Sequence, residues 1–396
     1  MPSITLLTPH YFPETSAGAK RCTDTAEFLA SRGWQVTVLT LLPHYPQNKI
    51  YEGFDKPTPL TTTEKGVKVI RLRPWIIPRA NLLLRLLAET YFVLQTLAHS
   101  FWQKSDVILA SSPYMFLGPG GLLASRLQRC KFVWDVRDLT WLYPKAAGKK
   151  TYGTDKVLEQ LMRFTASRSD GLSTATEGLL SYFVKRPPAS EVIPNGVSEQ
   201  LLTTLEPLTH KRVLKESKVN VLYAGLIGYT QQLSTYIQTA KLLPSTCFTL
   251  AGDGPEKTSL EELAKSQQVA NVKFTGHLSF ESLVREYANA DVLFAQLGGD
   301  PIYRWAQPSK LWEYMATGKP VIYAGEGEVV DIIQQHNLAL IVAPENPQAL
   351  AEAIQYLIAH PNEARQLGEN GRHFVEQQRH RVKILERLEA LLQRVI

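Results

Sequence analysis

With 396 residues, 44% of them hydrophobic and 20% charged, the chain holds material for two ordinary globular domains and is excluded from the disordered, collagen-like and coiled-coil classes. Cys22, Cys130 and Cys247 lie far apart and give neither a disulfide framework nor zinc-ligand spacing, which fits a reducing cytoplasm and predicts no metal. The first residues, MPSITLLTPHYF, enter a strand pattern without a basic leader, and no apolar run reaches the roughly 20 residues of a membrane span.

The expectation is therefore a cytoplasmic protein, free or lying peripherally on the cytoplasmic face of the plasma membrane. Charge is unevenly placed: residues 1–200 hold 24 Lys and Arg against 16 Asp and Glu, and the remainder 19 against 21. A basic first half is attracted to phosphates. No motif interleaves aromatics with basic residues, so an anionic membrane surface is the expected partner and nucleic acid is not.

In chain order, SITLLT reads as a strand, PHYFPETSAGAKR as a long loop, TDTAEFLASRG as a helix ended by Gly33 and WQVTVLT as a second strand. In this βαβ unit Gly18 lets the loop backbone approach a ligand, and Lys20 and Arg21 at the helix start make sense against a bound anion. A Pro- and Thr-rich stretch (43–66) leads to the strand GVKVIRLRP and a loop with Trp75, Ile76, Ile77 and Arg79. The segment from Asn81 to Gln103 is predicted helix, with Arg85, Glu89, Thr96, His99 and Gln103 along one face. Two readings stand side by side for it: a helix with its apolar side on the sheet, or an interfacial surface in which Trp75, Ile76, Leu82 to Leu84 and the arginines Arg71, Arg73, Arg79 and Arg85 dip into anionic lipid.

DVILASSP and KFVWDVRDLTW read as strands, with LGPGGLLASRL a helix between them. Ligands of open α/β sheets bind outside the carboxyl ends of strands, so Asp135, Arg137 and Asp138 are site candidates. A structural Asp–Arg pair is the competing reading for them. DGLSTAT (strand), EGLLSYFVKR (helix) and EVIPNGV close this half, with Asn195 and Gly196 as a turn. Ser198 to Ser217 lacks any sustained period and reads as a linker. A second βα series follows: VNVLYAGLIG, CFTLAG, VKFTGHL and DVLFAQL as strands, each with a helix after it.

QPSKLWEYMATGKPVIYAG (307–325) concentrates the most chemistry. Ser309 can cap a helix, Leu311, Trp312, Tyr314 and Met315 supply its apolar face, and VIYA is a strand buried on both sides. Lys310 and Glu313 are three apart and share a face. A cation beside a hydrogen-bonding carboxylate suits a nucleotide diphosphate, and the competing reading is a capped surface helix whose Lys and Glu happen to pair. Residues 347–360 and 362–396 are helical.

YFPETSAGAKR, IPNGV, YAGLIG, AGDGPEK, TGH and PSKLWEYMATGKPVI in this order resemble the retaining glycosyltransferases of family 4, over nearly the whole chain. The resemblance implies the GT-B fold: two Rossmann-like doubly wound α/β domains, the active site in the cleft, and a C-terminal helix crossing back to the first domain. It places an acceptor-binding domain at 1–197 with a helix at about 374–396, a linker at 198–217 and a nucleotide-sugar domain at 218–373. It implies transfer of a sugar, as hexosyltransferase or N-acetylaminosugar transferase, from a UDP- or GDP-sugar to a lipid-linked or growing glycan acceptor in cell-surface polysaccharide synthesis, with no cofactor beyond the donor. By the same resemblance Gly225 and Gly228 flank the diphosphate, and Gly252 and Gly254 shape a turn beside the nucleotide. The backbone at His277 and Leu278 receives the base, Ser309 and Lys310 face the diphosphate, and Glu313 holds the ribose. Asp138, Arg137 and His10, with Gly18 and Lys20, are the polar groups expected near the acceptor. The chain departs from the family in two places. Trp305 stands eight residues before Glu313 where a carboxylate is usual, and Thr230, Gln231 and Gln232 stand where an Arg and a Lys are usual, leaving Lys310 and then Arg304 as cations. A nucleotide-sugar 2-epimerase-like enzyme and a non-catalytic GT-B partner subunit remain as alternatives.

Overall fold

The computed structural model describes residues 1–45, 48–77, 82–100, 102–142, 153–206 and 219–396. Arg79, residues 207–217 of the expected linker and residue 218 lie outside the described residues, as do the side chains of Leu82 and Leu83. The chain divides into two compact units, Met1–Pro194 with Leu385–Ile396, and Asn195–Ile384.

The first unit is built on β1 (Ser3–Leu7), β2 (Gln35–Leu41), β3 (Leu60–Glu64), β4 (Val67–Leu72), β5 (Val107–Ser111), β6 (Lys131–Val136), β7 (Gly171–Thr174) and β8 (Ala189–Val192). They form one sheet in the order β3-β4-β2-β1-β5-β6-β7-β8, parallel except for the β3–β4 pair. Runs such as VILAS in β5, buried at every position, are what a sheet covered on both faces selects. β3 was hidden in the Thr-rich stretch. Its signal is the two-residue Lys65-Gly66 turn, with φ of 46° and 80°, the positive pair that a tight hairpin demands.

Two helices of this unit differ from expectation. The first begins at Ala17, because the Ser16 hydroxyl accepts from the Ala19 amide at 3.2 Å; Gly18 and Lys20 are therefore inside the helix rather than in a loop. The helix Leu82–Ser100 turns its polar side inward. Glu89, Thr96 and Ser100 are buried, whereas Leu87, Tyr91 and Leu94 are 44%, 40% and 59% exposed. The reason is a polar receptor beneath it: Glu89 Oε2 accepts from the Met115 amide at 3.0 Å, and burial raises the Glu89 pKa to about 7 against the opposing effects of that bond and of Arg85. Among the described side chains of this helix, Phe92 and Val93 are the fully buried large apolar ones, and Leu84, Leu86 and Leu97 are half-buried.

The second unit holds β9 (Asn220–Ala224), β10 (Cys247–Ala251), β11 (Val272–Gly276), β12 (Val292–Gln296), β13 (Val321–Ala324) and β14 (Leu340–Val342), in the order β11-β10-β9-β12-β13-β14 with every pair parallel. The chain leaves β9 toward β10 on one side and continues past it to β12 on the other, so the loops after β9 and β12 diverge at a switch point. The helix Ser309–Met315 seats Leu311, Trp312, Tyr314 and Met315 in the core under this edge, against Leu222, Ala224 and Tyr323.

The expected linker is partly helix. Ser198 caps Glu199–Leu205, whose Leu201, Leu202 and Leu205 join that same core; seven residues are too few to show a period. Asn195-Gly196 is not a turn but a fastening. Asn195 Nδ2 donates to the Gln307 carbonyl at 3.1 Å, and a Cβ on Gly196 would meet the Arg379 carbonyl at 2.8 Å. The C-terminal segment is two helices, Pro361–Gln378 and Arg381–Val395, split where Val197 donates to the Arg379 carbonyl at 2.8 Å and accepts from the Arg381 amide at 2.9 Å.

Candidate active site

In the second unit the loops after β9, β10 and β11 run backbone against backbone. Gly225 donates to the Ala251 carbonyl at 2.8 Å, Ile227 to the Asp253 carbonyl at 3.0 Å and Gly252 to the Gly276 carbonyl at 2.9 Å. Side chains have no room there: a Cβ on Gly252 would sit 1.9 Å from the Gly225 carbonyl oxygen, and one on Gly254 2.2 Å from that of Ile227. Their φ angles, 146° and 158°, are also ones that L side chains rarely take. Gly225 also has a positive φ, 145°, and a Cβ on it would stand 2.8 Å from the Lys310 Nζ at the tip of that flexible side chain.

Lys310 is partly buried in this gap. Its ammonium donates to the Tyr223 hydroxyl and lies 4.0 Å from the centre of that ring, while the same hydroxyl donates to the Leu226 carbonyl at 2.6 Å. Burial lowers the Lys310 pKa to about 7, against the upward pull of Glu313. Glu313 in turn shares a hydrogen bond with the buried Tyr287 phenol, and burial followed by this carboxylate holds that phenol well above its usual range. Tyr314, the residue after Glu313, accepts from the Ala224 amide at 2.7 Å and donates to the Ala224 carbonyl at 2.6 Å. The helix is thereby bolted to the end of β9, and the cation and carboxylate are brought to one strand edge.

The remaining expectations for this unit resolve individually. Ser309 is the first helical residue, and Pro308 in the cap position supplies no side-chain bond, so the capping role assigned to Ser309 is absent. Gly228 precedes the short turn Tyr229–Gln231, which buried Gln296 holds through bonds of 2.9 and 2.8 Å to the Gln231 and Gln232 carbonyls. Exposed His277 lies just beyond β11, and Leu278 packs against the core. Arg304 is already committed to Glu326, with bonds of 3.2 and 3.1 Å, which leaves Lys310 the better placed cation.

In the first unit, Arg137 is not a solvent-facing group. It is 8% exposed, bonds Asp135 at 2.9 Å through Nε and the Ile193 carbonyl at 2.5 Å through Nη1, and so belongs to the structural pair that competed with the functional reading. Asp135 also accepts from Ser111 at 2.7 Å and Ser173 at 2.8 Å, and Arg21 lies 3.8 Å away. Burial would raise the Asp135 pKa, but Arg137, Arg21 and these bonds hold it below the usual carboxylate range. Arg21, read at first as an anion contact, is thus tied to Ser111 at 2.7 Å. Asp138, by contrast, is only partly buried beyond the end of β6. Gly18 has open space around it.

His10 lies beyond the carboxyl end of β1, and its Nδ1 is 2.6 Å from Glu14 Oε2. Glu14 is not among the residues expected from sequence, and its four-residue spacing from His10 in PHYFPE is the signal for it. Glu14 is 4% exposed, and its Oε1 accepts from the amides of His44 and Tyr45 at 2.8 and 2.9 Å. Burial pushes its pKa up, but the His10 bond and charge and these two amides more than offset that and leave it lowered.

Two doubly wound, mainly parallel units, the second with a glycine-lined edge carrying a lysine and a carboxylate, define a GT-B chain. Two family models match, "Glycosyl transferases group 1" over residues 207–374 and "Glycosyl transferase 4-like domain" over residues 16–196. The chain belongs to the family 4 glycosyltransferases and is an enzyme of that class. Among its relatives is the "Putative colanic acid biosynthesis glycosyl transferase WcaI" of Escherichia coli K12, 26% identical, with 89% of this chain and 91% of the relative covered. Sucrose-phosphate synthase of Thermosynechococcus elongatus shares the fold with a TM-score of 0.79 at 20% identity, covering 100% and 99% of the two chains. HepE of Anabaena, solved with UDP and glucose, has a TM-score of 0.71 at 18% identity, covering 98% and 99%.

Proposed function

We propose that the protein moves a sugar from a nucleotide diphosphate donor to a hydroxyl of a lipid-linked or growing glycan acceptor, with retention of anomeric configuration, in the synthesis of a cell-surface polysaccharide. The observation that carries this is the pairing of Lys310 and Glu313 at one strand edge, beside loops too close for any Cβ. Glu313 is a carboxylate able to accept two hydrogen bonds, the demand of a ribose diol. Lys310 meets the charge that develops on the leaving diphosphate. A relative's name, colanic acid biosynthesis, and a structural neighbour solved with UDP-glucose support the polysaccharide and donor assignments.

In the retaining step the acceptor hydroxyl attacks the face from which the diphosphate leaves, and a diphosphate oxygen takes its proton. No pair of carboxylates at glycosidase separation is then required. Incubation with UDP-, GDP- and dTDP-sugars and a polyprenyl diphosphate sugar is expected to yield glycosylated lipid and nucleoside diphosphate. Donor binding with neither product would sink the proposal. Glu313→Ala is expected to weaken donor binding by more than about tenfold, the worth of a charged hydrogen bond; an unchanged UDP dissociation constant would remove Glu313 from the site.

The acceptor's membrane gives the outward apolar side of the helix Leu82–Ser100 a use. Leu87, Tyr91 and Leu94 are joined by Trp75, 48% exposed, and Ile76, 38% exposed. The Trp75 and Tyr91 rings lie 6.3 Å apart, and exposed Arg73 and Arg85 flank them. Arg71 drops out of this surface, being 1% exposed and paired with Glu64 at 2.8 Å. Exposed aromatic and aliphatic groups with two arginines in the same segments suit the cytoplasmic leaflet. The protein should sediment with phosphatidylglycerol vesicles, less so in high salt or as Leu94→Glu. A protein left in the supernatant throughout refutes the membrane assignment.

A further inference from the structure

The His10–Glu14 pair fixes more than a location. An ionised carboxylate can only accept, so the proton in the 2.6 Å contact sits on His10 Nδ1. In the neutral imidazole that leaves Nε2 with its lone pair. Nε2 has no protein partner among the described residues and is not sealed from solvent. The ring stands 5.2 Å from that of Tyr45, 6.1 Å from that of Tyr114 and 6.0 Å from that of His44. These neighbours come from the loops after β2 and β5, so three strand ends converge around one imidazole ring.

We propose that Glu14 is a positioning residue for the acceptor: it locks His10 in the tautomer whose Nε2 accepts a hydrogen bond from an acceptor sugar hydroxyl, with the Tyr45 and Tyr114 rings beside the apolar face of that sugar. This rests on the assignment of the first unit to the acceptor. It specifies the chemistry the acceptor must offer there, an O–H donor rather than a phosphate or carboxylate oxygen. While the ring is neutral, an anion there would meet a lone pair and find no donor.

Glu14→Gln separates this role from a structural one. The amide oxygen can keep both backbone bonds now made by Oε1, to His44 and Tyr45, while the amide NH2 replaces Oε2 facing Nδ1. A donor there makes Nδ1 the acceptor and moves the ring proton to Nε2. The site keeps its shape and reverses its polarity.

The two measurements are nitrogen NMR of histidine-labelled protein and transfer kinetics with UDP-glucose and decaprenyl diphosphate-linked monosaccharides. Expected results are an Nδ1–H tautomer for His10 in the wild type and an Nε2–H tautomer in Glu14→Gln. The acceptor KM should rise by about tenfold or more, the cost of a misaligned hydrogen bond, with acceptor-free UDP-glucose hydrolysis within about twofold of wild type. In a His10→Ala background the Glu14→Gln change should add nothing, since the two act as one unit. An unprotonated Nδ1 in the wild type, an unchanged acceptor KM in Glu14→Gln, or additive effects of the two substitutions overturns the inference. A wild type that hydrolyses UDP-glucose but glycosylates none of the acceptors overturns the acceptor assignment beneath it instead.

Discussion

Lys310→Met is expected to lower turnover of the donor by about a hundredfold or more, the loss seen when one preorganised charge-stabilising group is removed from a leaving oxyanion. Methionine matches the length of the lysine stem, so the packing against Tyr223 and Gly225 survives and circular dichroism should be unchanged. The pH behaviour is the sharper part. With burial holding its pKa at about 7, Lys310 is mostly neutral above that pH in the empty site, and a diphosphate beside it draws the proton back. Donor binding is therefore tied to proton uptake. UDP affinity should fall by up to about tenfold per pH unit above pH 7, and titration calorimetry in buffers of different ionisation enthalpy should register the proton. The stability effect has the opposite sign. Between about pH 7 and 10.5 the unfolded chain binds a proton that the folded one does not, so the burial penalty on Lys310 shrinks as pH rises through that window. A Lys310→Met protein with wild-type kcat, or UDP binding independent of pH in wild type, removes Lys310 from the leaving-group role.

Gly252→Ala is expected to be the most damaging single methyl group. Its Cβ would lie 1.9 Å from the Gly225 carbonyl oxygen, a rigid backbone atom, at a φ of 146°. Strain of that kind costs about 1–3 kcal/mol before the clash is counted, and relief requires the loops after β9 and β10 to part. Donor affinity and melting temperature should fall together. Gly18→Ala is the control: that glycine is helical with nothing within 4 Å of a Cβ, and alanine there should be neutral or stabilising by up to about 1 kcal/mol. If Gly252→Ala bound UDP as wild type, the packed-loop account of the site would be wrong.

Those two glycines show what sequence could and could not convey. The strand and helix pattern was legible because buried parallel strands read as apolar runs such as VILAS and VIYA. Lys310 and Glu313 were legible because three residues on a helix share a face. The burial of Arg137 was not, since beyond its near neighbour Asp135 it depends on Ser112 and the Ile193 carbonyl arriving from two other segments. The inward polar side of Leu82–Ser100 was hidden for the same reason, as its partner, the Met115 amide, lies 26 residues from Glu89. Short elements defeat periodicity: Glu199–Leu205 has too few residues to show a helical repeat, and β3 is betrayed only by the Lys65-Gly66 hairpin turn. Glu14 was missed because a carboxylate in a Pro-rich loop reads as solvated until the two amides it caps are seen.

The loops that meet through Gly225, Gly252 and Gly254 behave as one casting. An insertion or deletion in any of them would shift the others, so loop length is closed as a route to a new donor preference. Change is left to the side chains that project from the casting, such as Leu226 and Tyr229, which are 47% and 67% exposed. An engineer seeking a different sugar nucleotide would randomise those positions and leave the glycines alone.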